Sequence, residues 1–307
     1  MANPRTFQIQ EISAHPGPVP GRGTRREDQV CKYIDVTTCI GCKACEVACV
    51  EWNDHPFRET TFNDTYQTMP STEWNYYNLI KFAEDDRDGH LMWLLRKDQC
   101  MHCEDPGCLR ACPADGAIIK YENGIVDFQQ ENCIGCGYCI SGCPFDIPKF
   151  NSQTKKVYKC TLCSDRVGQG LEPACIKACP TGCLKFGTKS DMVQIAGLRA
   201  KQLREVSGFA DAGVYDPQSI GGTHVIYVLH DIKRPERYGL PATPVIPPSY
   251  TYWKWLAKPI GLGLGLLGIA GVFFHRVFYG PKLPQPEPPV IRTGPDDEIE
   301  AGRKEMP

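Results

Sequence analysis

The stretch CIGCKACEVAC, residues 39–49, places four thiols in eleven residues. Its spacing, C-x2-C-x2-C-x3-C, returns at Cys133, Cys136, Cys139 and Cys143, with Pro144 behind it. Two looser quartets complete the set: Cys100, Cys103, Cys108 and Cys112, then Cys160, Cys163, Cys175 and Cys179, each followed by proline. Two of the 18 cysteines, Cys31 and Cys183, stand outside the quartets. Small secreted disulfide scaffolds are shorter and more uniform than this chain of 307 residues, so the thiols read as metal ligands.

The repeated spacing is the bacterial ferredoxin run, which holds [4Fe-4S] cubanes. Three thiolates two residues apart wrap one face of a cubane. Gly41 and Gly135 let the backbone pass close to it. The fourth cysteine of a run ligates the neighbouring cluster of a pair. Zinc sites instead use separated C-x2-C pairs, four ligands to an ion. The segment between the second and third quartets carries two short apolar runs, AIIKY and IVDF, around the turn Glu122-Asn123-Gly124. Quartet, hairpin and quartet make one local two-cluster unit. With the fourth ligands exchanged, Cys100, Cys103, Cys108 and Cys143 hold cluster C, and Cys133, Cys136, Cys139 and Cys112 hold cluster D. By elimination Cys39, Cys42, Cys45 and Cys179 hold cluster A, and Cys160, Cys163, Cys175 and Cys49 hold cluster B. Sixteen iron–sulfur bonds then replace part of an apolar core. This suits a chain with 29 glycines, 26 prolines and 42% hydrophobic residues. Cys31 and Cys183 read as small buried apolar residues, with Cys183 a competitor of Cys179.

The remaining segments read more simply. Asn78–Phe82 and Leu91–Lys97 predict a hairpin, and Thr223–His230 predicts a strand. Ser190–Val206 predicts an amphipathic helix with Ser190 as N-cap and Met192, Val193, Ile195, Ala196, Leu203 and Val206 inward. His224 and His230 are expected to be packed or solvated. His102, between two ligands, is expected to hydrogen-bond near a cluster. Lys155, Lys156 and Lys159 read as a solvated face. A net charge of −2 speaks against a broad nucleic-acid surface. The first residues lack an apolar export core, and polar residues follow Arg25 and Arg26, which read as surface charge.

Residues 259–274 carry no charge, and the apolar stretch from Trp255 to Tyr279 is long enough to cross a bilayer. Trp253, Trp255 and Tyr279 suit its interfaces, and Lys254, Lys258 and Arg276 its flanks. Gly263, Gly265 and Gly268 spell a dinucleotide fingerprint without its strand–helix context. Gly261, Gly265 and Gly268 instead line one helix face for a membrane neighbour. His275 is expected to hydrogen-bond at that interface, with haem ligation the alternative. The fold class is therefore α+β: a loop-rich, duplicated bacterial-ferredoxin-like four-cluster domain with one C-terminal transmembrane helix. Its segments are an arm (1–30), the cluster domain (31–248), the anchor (249–280) and a Pro-rich charged tail (281–307). Within the cluster domain a local unit (98–150) sits inside one formed by 31–97 and 151–188, with a helix and strand extension over 189–248.

DVTTCIGCKACEVACVEWND (35–54), RKDQCMHCEDPGCLRACP (96–113), GAIIKYENGIVDFQQENCIGCGYCISGCPF (116–145), YKCTLCSDRV (158–167) and GGTHVIYVLH (221–230) carry a resemblance. Together with the terminal helix, they make the chain similar to the iron–sulfur β subunits of membrane-bound respiratory formate dehydrogenases. Cys183 departs from that family's usual small non-thiol residue, and the N-terminal arm and the tail also differ. The resemblance implies an electron-transfer subunit without a catalytic site of its own. It implies a molybdopterin (or tungstopterin) catalytic α subunit that oxidises formate, a cytochrome b γ subunit in the membrane, and quinone as acceptor. It also implies an inner-membrane location with the bulk domain periplasmic, exported with the partner. The quartets alone also suit the equivalent subunit of a sulfur-compound or sulfoxide reductase or of a membrane hydrogenase. A zinc-stabilised membrane scaffold is the alternative of another class.

Overall fold

The computed structural model describes residues 29–56, 59–62, 65–67, 69–87, 89–252 and 256–280. The expected tail, the expected arm up to residue 28, and the flanking Trp253, Lys254 and Trp255 lie outside them, while Val30, expected to end the arm, belongs to the first strand. The chain begins with strand β1 (Val30–Asp35), helix α1 (Ala44–Trp52) and the hairpin β2 (Leu79–Arg87) and β3 (His90–Asp98). Helix α2 (Gly107–Ala111), the pair β4 (Ile118–Lys120) and β5 (Val126–Phe128), and helix α3 (Tyr138–Ser141) follow. A third hairpin, β6 (Lys149–Asn151) and β7 (Lys156–Tyr158), leads to the short helices α4 (Ser164–Gly168) and α5 (Ala174–Lys177). Then come β8 (Leu184–Thr188), α6 (Lys189–Glu205), β9 (Gly213–Tyr215), β10 (Val225–Leu229), α7 (Ser249–Tyr252) and α8 (Lys258–Tyr279).

One four-stranded sheet organises the cluster domain, in the order β8-β1-β10-β9. β1 runs parallel to β10, with Tyr33 opposite Ile226, and antiparallel to β8, with Tyr33 opposite Lys185. Every residue of β1 is buried, because the sheet is covered on both faces. On one face Cys31 and Tyr33 pack with Ile226 and Val228 against Met192, Ala196, Ala200 and Leu203 of α6. On the other, Val30 and Ile34 join the larger core with Leu184, Val225, Tyr227 and Leu229. The alternation of a strand therefore sends Cys31 toward α6 and its neighbour Lys32 toward the thiols. The sequence reading named β10 but not β1.

The expected hairpins form, and the first is longer than expected, pairing Leu79 with Asp98 through to Arg87 with His90. β4 and β5 pair antiparallel around a turn in which Gly124 has φ +90°. A Cβ there would collide with the ring of His224, so the turn and the buried histidine require each other. Helix α6 corrects one expectation. Its N-cap is Thr188, whose Oγ1 accepts from the Asp191 amide at 3.2 Å, and Ser190 lies inside the first turn. Val193 and Val206 are exposed, while Ala200 takes an inward place. The chain divides into two compact units, one up to Thr251 and the other from Tyr252. In the second, α8 has 22 residues and no buried side chain, so it would span about 33 Å.

Candidate metal centres

Short helices distribute the thiols. α1 carries Cys45 and Cys49, one turn apart, so the two point to successive levels along its axis. It packs on α5, which carries Cys175 and leads to Cys179. The same pairing recurs between α2, with Cys108 and then Cys112, and α3, with Cys139 and then Cys143. That contact is close: a Cβ on Gly107 would collide with the carbonyl oxygen of Gly142. Each helix thus stands between two groups of thiols.

Cys39, Cys42, Cys45 and Cys179 line one cavity together with Lys97 and Cys183. Cys100, Cys103, Cys108 and Cys143 line a second, with Lys159 and Phe145. Burial holds the Cys139 thiol up, to about 12, and the groups next in its field are Cys112, Cys133 and Cys136. The Cys49 thiol is likewise raised by burial, and stands in the field of Cys160, Cys175 and Cys163. Among the described residues no three His, Cys, Asp or Glu side chains gather as for a single ion. The thiols stand around spaces instead of closing on a point.

The first C-x2-C loop of each quartet makes the same turn. The residue before the second cysteine is left-handed in each: Gly41 (φ +66°), His102 (+46°), Gly135 (+71°) and Leu162 (+55°). The turn directs that residue's amide back at the first sulfur. The His102 amide donates to Cys100 Sγ at 3.5 Å, and that of Leu162 to Cys160 Sγ at 3.4 Å. Non-glycine residues bear roughly 1–2 kcal/mol of strain in this conformation. The sequence signals two of the turns by glycine and hides the other two.

Three features of the surroundings fit an anionic, hydrogen-bond-accepting cubane. Lys32, Lys97 and Lys159 are all buried, and a buried ammonium needs counter-charge. Gln99 Nε2 and His102 Nε2 are buried donors without an acceptor in the protein. His102 Nδ1 accepts from the Val126 amide at 3.0 Å, which places the ring proton on Nε2. Burial lowers its pKa well below the usual value, so the ring is neutral. The thiols respond to the same charges. Burial raises Cys175, but Lys32 and Lys97 outweigh burial and leave it lowered. Burial dominates at Cys45 and Cys163, both held up to about 12. Such thiols stay protonated until metal displaces the proton.

The other candidate residues fall into place. Lys159 corrects the expectation of a solvated lysine face: it is 3% exposed, while Lys155 is exposed and Lys156 half-buried. Lys159 stands next to a ligand-run cysteine and donates inward, to Val126 O at 2.5 Å and Cys160 O at 2.9 Å. His224 is packed, with Nδ1 2.6 Å from Val30 O and Nε2 2.9 Å from Glu104 Oε2. His230 Nδ1 lies 3.2 Å from the Tyr238 hydroxyl. Cys31 is buried against α6, away from the thiol groups, and burial pushes it up to about 12. Cys183 lies 3.4 Å from Cys179, sulfur to sulfur. It hydrogen-bonds Cys39, which is lowered to about 6, while the Cys183 proton is held. Gly261, Gly265 and Gly268 on α8 have open space where a Cβ would stand. The His275 ring lies 5.7 Å from that of Tyr279.

Two family models of a 4Fe-4S dicluster domain match residues 38–117 and 91–189. A third, formate dehydrogenase N, transmembrane, matches residues 246–289. The nitrate-inducible formate dehydrogenase iron–sulfur subunit of Escherichia coli is 53% identical over 255 residues, 83% of this chain and 86% of that protein. The chain belongs to the formate dehydrogenase iron–sulfur subunits. The formate dehydrogenase-O iron–sulfur subunit of E. coli is 49% identical over 95% of this chain and 99% of its own length. The formate dehydrogenase iron–sulfur subunit of Haemophilus influenzae is 48% identical over 91% and 90%. As a formate dehydrogenase iron–sulfur subunit, the chain carries four [4Fe-4S] clusters and transfers electrons within an oxidoreductase complex that contains a catalytic subunit. It is associated with a membrane, and α8 is the helix among the described residues that is long and apolar enough to cross one. Family membership selects the formate reading over those for sulfur compounds, sulfoxides or hydrogen.

Proposed function

We propose that Cys39, Cys42, Cys45 and Cys179 hold cluster A; Cys160, Cys163, Cys175 and Cys49 cluster B; Cys100, Cys103, Cys108 and Cys143 cluster C; and Cys133, Cys136, Cys139 and Cys112 cluster D. The observation that carries this reading is the company of each fourth cysteine. Cys179 and Cys143 line cavities with three thiols of another quartet. When bound, the clusters supply a row of one-electron carriers between the catalytic subunit and the membrane. The protein encloses the thiols of B on all sides, while Cys42 of A and Cys136 of D are exposed. A and D are then the two ends of the row, and B and C its interior.

The partners follow the family resemblance. A molybdopterin (or tungstopterin) α subunit oxidises formate and delivers electrons at one end. A cytochrome b γ subunit receives them at the other and reduces quinone. The small-residue face of α8, open along Gly261, Gly265 and Gly268, suits a helix of that membrane partner. The cluster domain lies on the periplasmic side of the inner membrane. Cys112→Ser in the intact complex tests the ligand exchange. EPR should show the spectrum of D altered and that of C retained, and the reverse would overturn the sets. Co-purification of a pterin protein and a b-type cytochrome from detergent-extracted membranes tests the partners.

A further inference from the structure

Three lysines are buried where the thiol groups meet: Lys32 (0% exposed), Lys97 (2%) and Lys159 (3%). Lysine is almost never fully buried unless paired. Among the described residues none of the three forms an ion pair with a carboxylate. Asp127, itself buried, lies in the field of Lys159 without bonding it. Their placement is specific. Lys97 lines the cavity of group A, and its Nζ donates to Gln99 Oε1 at 2.6 Å. Lys32 donates to the same oxygen at 3.0 Å and stands 3.1 Å from Cys175 Sγ of group B. One amide oxygen thus holds two ammoniums at the junction of A and B. Their mutual repulsion, away from water, calls for anions around both. Lys159 lines the cavity of group C and donates to Cys160 O of group B at 2.9 Å. It stands at the junction of B and C. At group D the corresponding residue is Lys156, half-buried, which donates to the backbone oxygens of Gln130 and Cys133 at 2.7 Å.

We propose that Lys32, Lys97 and Lys159 are positioning residues for electron transfer: fixed positive charges that raise the reduction potentials of clusters A, B and C, and that cluster D lacks. The inference rests on the ligand sets proposed above. A cubane with four thiolate ligands is a net anion in both oxidation states, and reduction adds one negative charge. Net charge, burial and hydrogen bonds to sulfur set its potential. Burial alone disfavours the more charged, reduced form. An ammonium shut away from water within hydrogen-bond range of a ligand sulfur or backbone favours it, whereas solvent screens the half-buried Lys156 beside D. The ammonium keeps its proton while one electron arrives, so the compensation needs no proton transfer.

The test uses the intact complex, with each cluster's potential read by EPR-monitored redox titration and the iron content measured alongside. Gln99→Glu is isosteric, and its carboxylate accepts from the same two ammoniums while cancelling much of their charge. Clusters A and B should become at least tenfold harder to reduce, about 59 mV for a one-electron step, with C and D unmoved. Lys159→Gln should lower B and C in the same way, and Lys156→Gln should move none. Unchanged potentials in Gln99→Glu and Lys159→Gln at full iron content would overturn the proposal. So would an equal shift of all four clusters. A shift confined to a different pair would uphold the charge effect and redraw the ligand sets instead. Depleted iron in both variants would assign the lysines to cluster assembly and overturn the role in potential.

Discussion

His102 and Leu162 hold the left-handed turns that Gly41 and Gly135 hold elsewhere, and nothing in their chemistry announces it. The strain is tolerated because each amide gains a sulfur acceptor, an interaction that the ligand spacing implies but does not spell out. Lys159 was hidden in a different way. In sequence it joins Lys155 and Lys156 in a basic run, and only the fold turns it inward beneath Val126. Glu104 shows how a ligand loop is tied to the sheet. It bonds His224 Nε2 and Lys120 Nζ, the latter at 2.6 Å, and the His224 bond first, then Lys120, lower its carboxyl from 4.5 to about 2. A depressed carboxylate contributes stability that is complete above its unfolded value and is lost as pH falls toward the folded one. Glu104→Gln should therefore lower the thermal midpoint of the holoprotein at neutral pH, where the native carboxylate is fully ionised. Equal midpoints for variant and wild type at neutral pH would show that the pair does not act as described.

At the scale of elements, the hairpins were legible because alternation and turn residues survive in short runs, as in AIIKY-ENG-IVDF. β1 was not, because a strand buried on both faces has no alternation to show, and Lys32 within it reads as a surface residue. Helix α6 was legible in its extent but misplaced in its cap. Thr188→Ala should cost about 1 kcal/mol of stability, while Ser190→Ala should stay within about 0.5 kcal/mol. Chemical denaturation of the holoprotein distinguishes the two, and the opposite ranking would return the cap to Ser190. The quartet spacing gave the ligand types. The packing of α1 on α5 and of α2 on α3 brings thiols of different quartets onto facing helices.

For the whole molecule, the clusters act as structure as well as wiring, since metal binding is coupled to folding. Anaerobic chelation that strips iron should abolish the cooperative melting transition of the cluster domain. An unchanged transition in iron-free protein would show that the apolar core suffices. Membrane attachment belongs to the second unit. Gly265→Ile should fill the open face of α8 without making the helix less apolar. The subunit should then remain in membranes but lose co-purification with the proposed b-type cytochrome, and intact co-purification would place the contact on another face. The anchor could be read from composition alone, because a bilayer demands only length and apolarity.

β1, at residues 30–35, finds its neighbours at 184–188 and 225–229. During synthesis the ribosome must therefore release most of the domain before the first strand has anywhere to go. The stretch from Cys100 to Cys143 holds eight of the quartet thiols, yet it too awaits Lys159 beneath Val126 and His224 beside Gly124. A product cut short before residue 184 would leave β1, and the quartet that follows it, without a sheet to join.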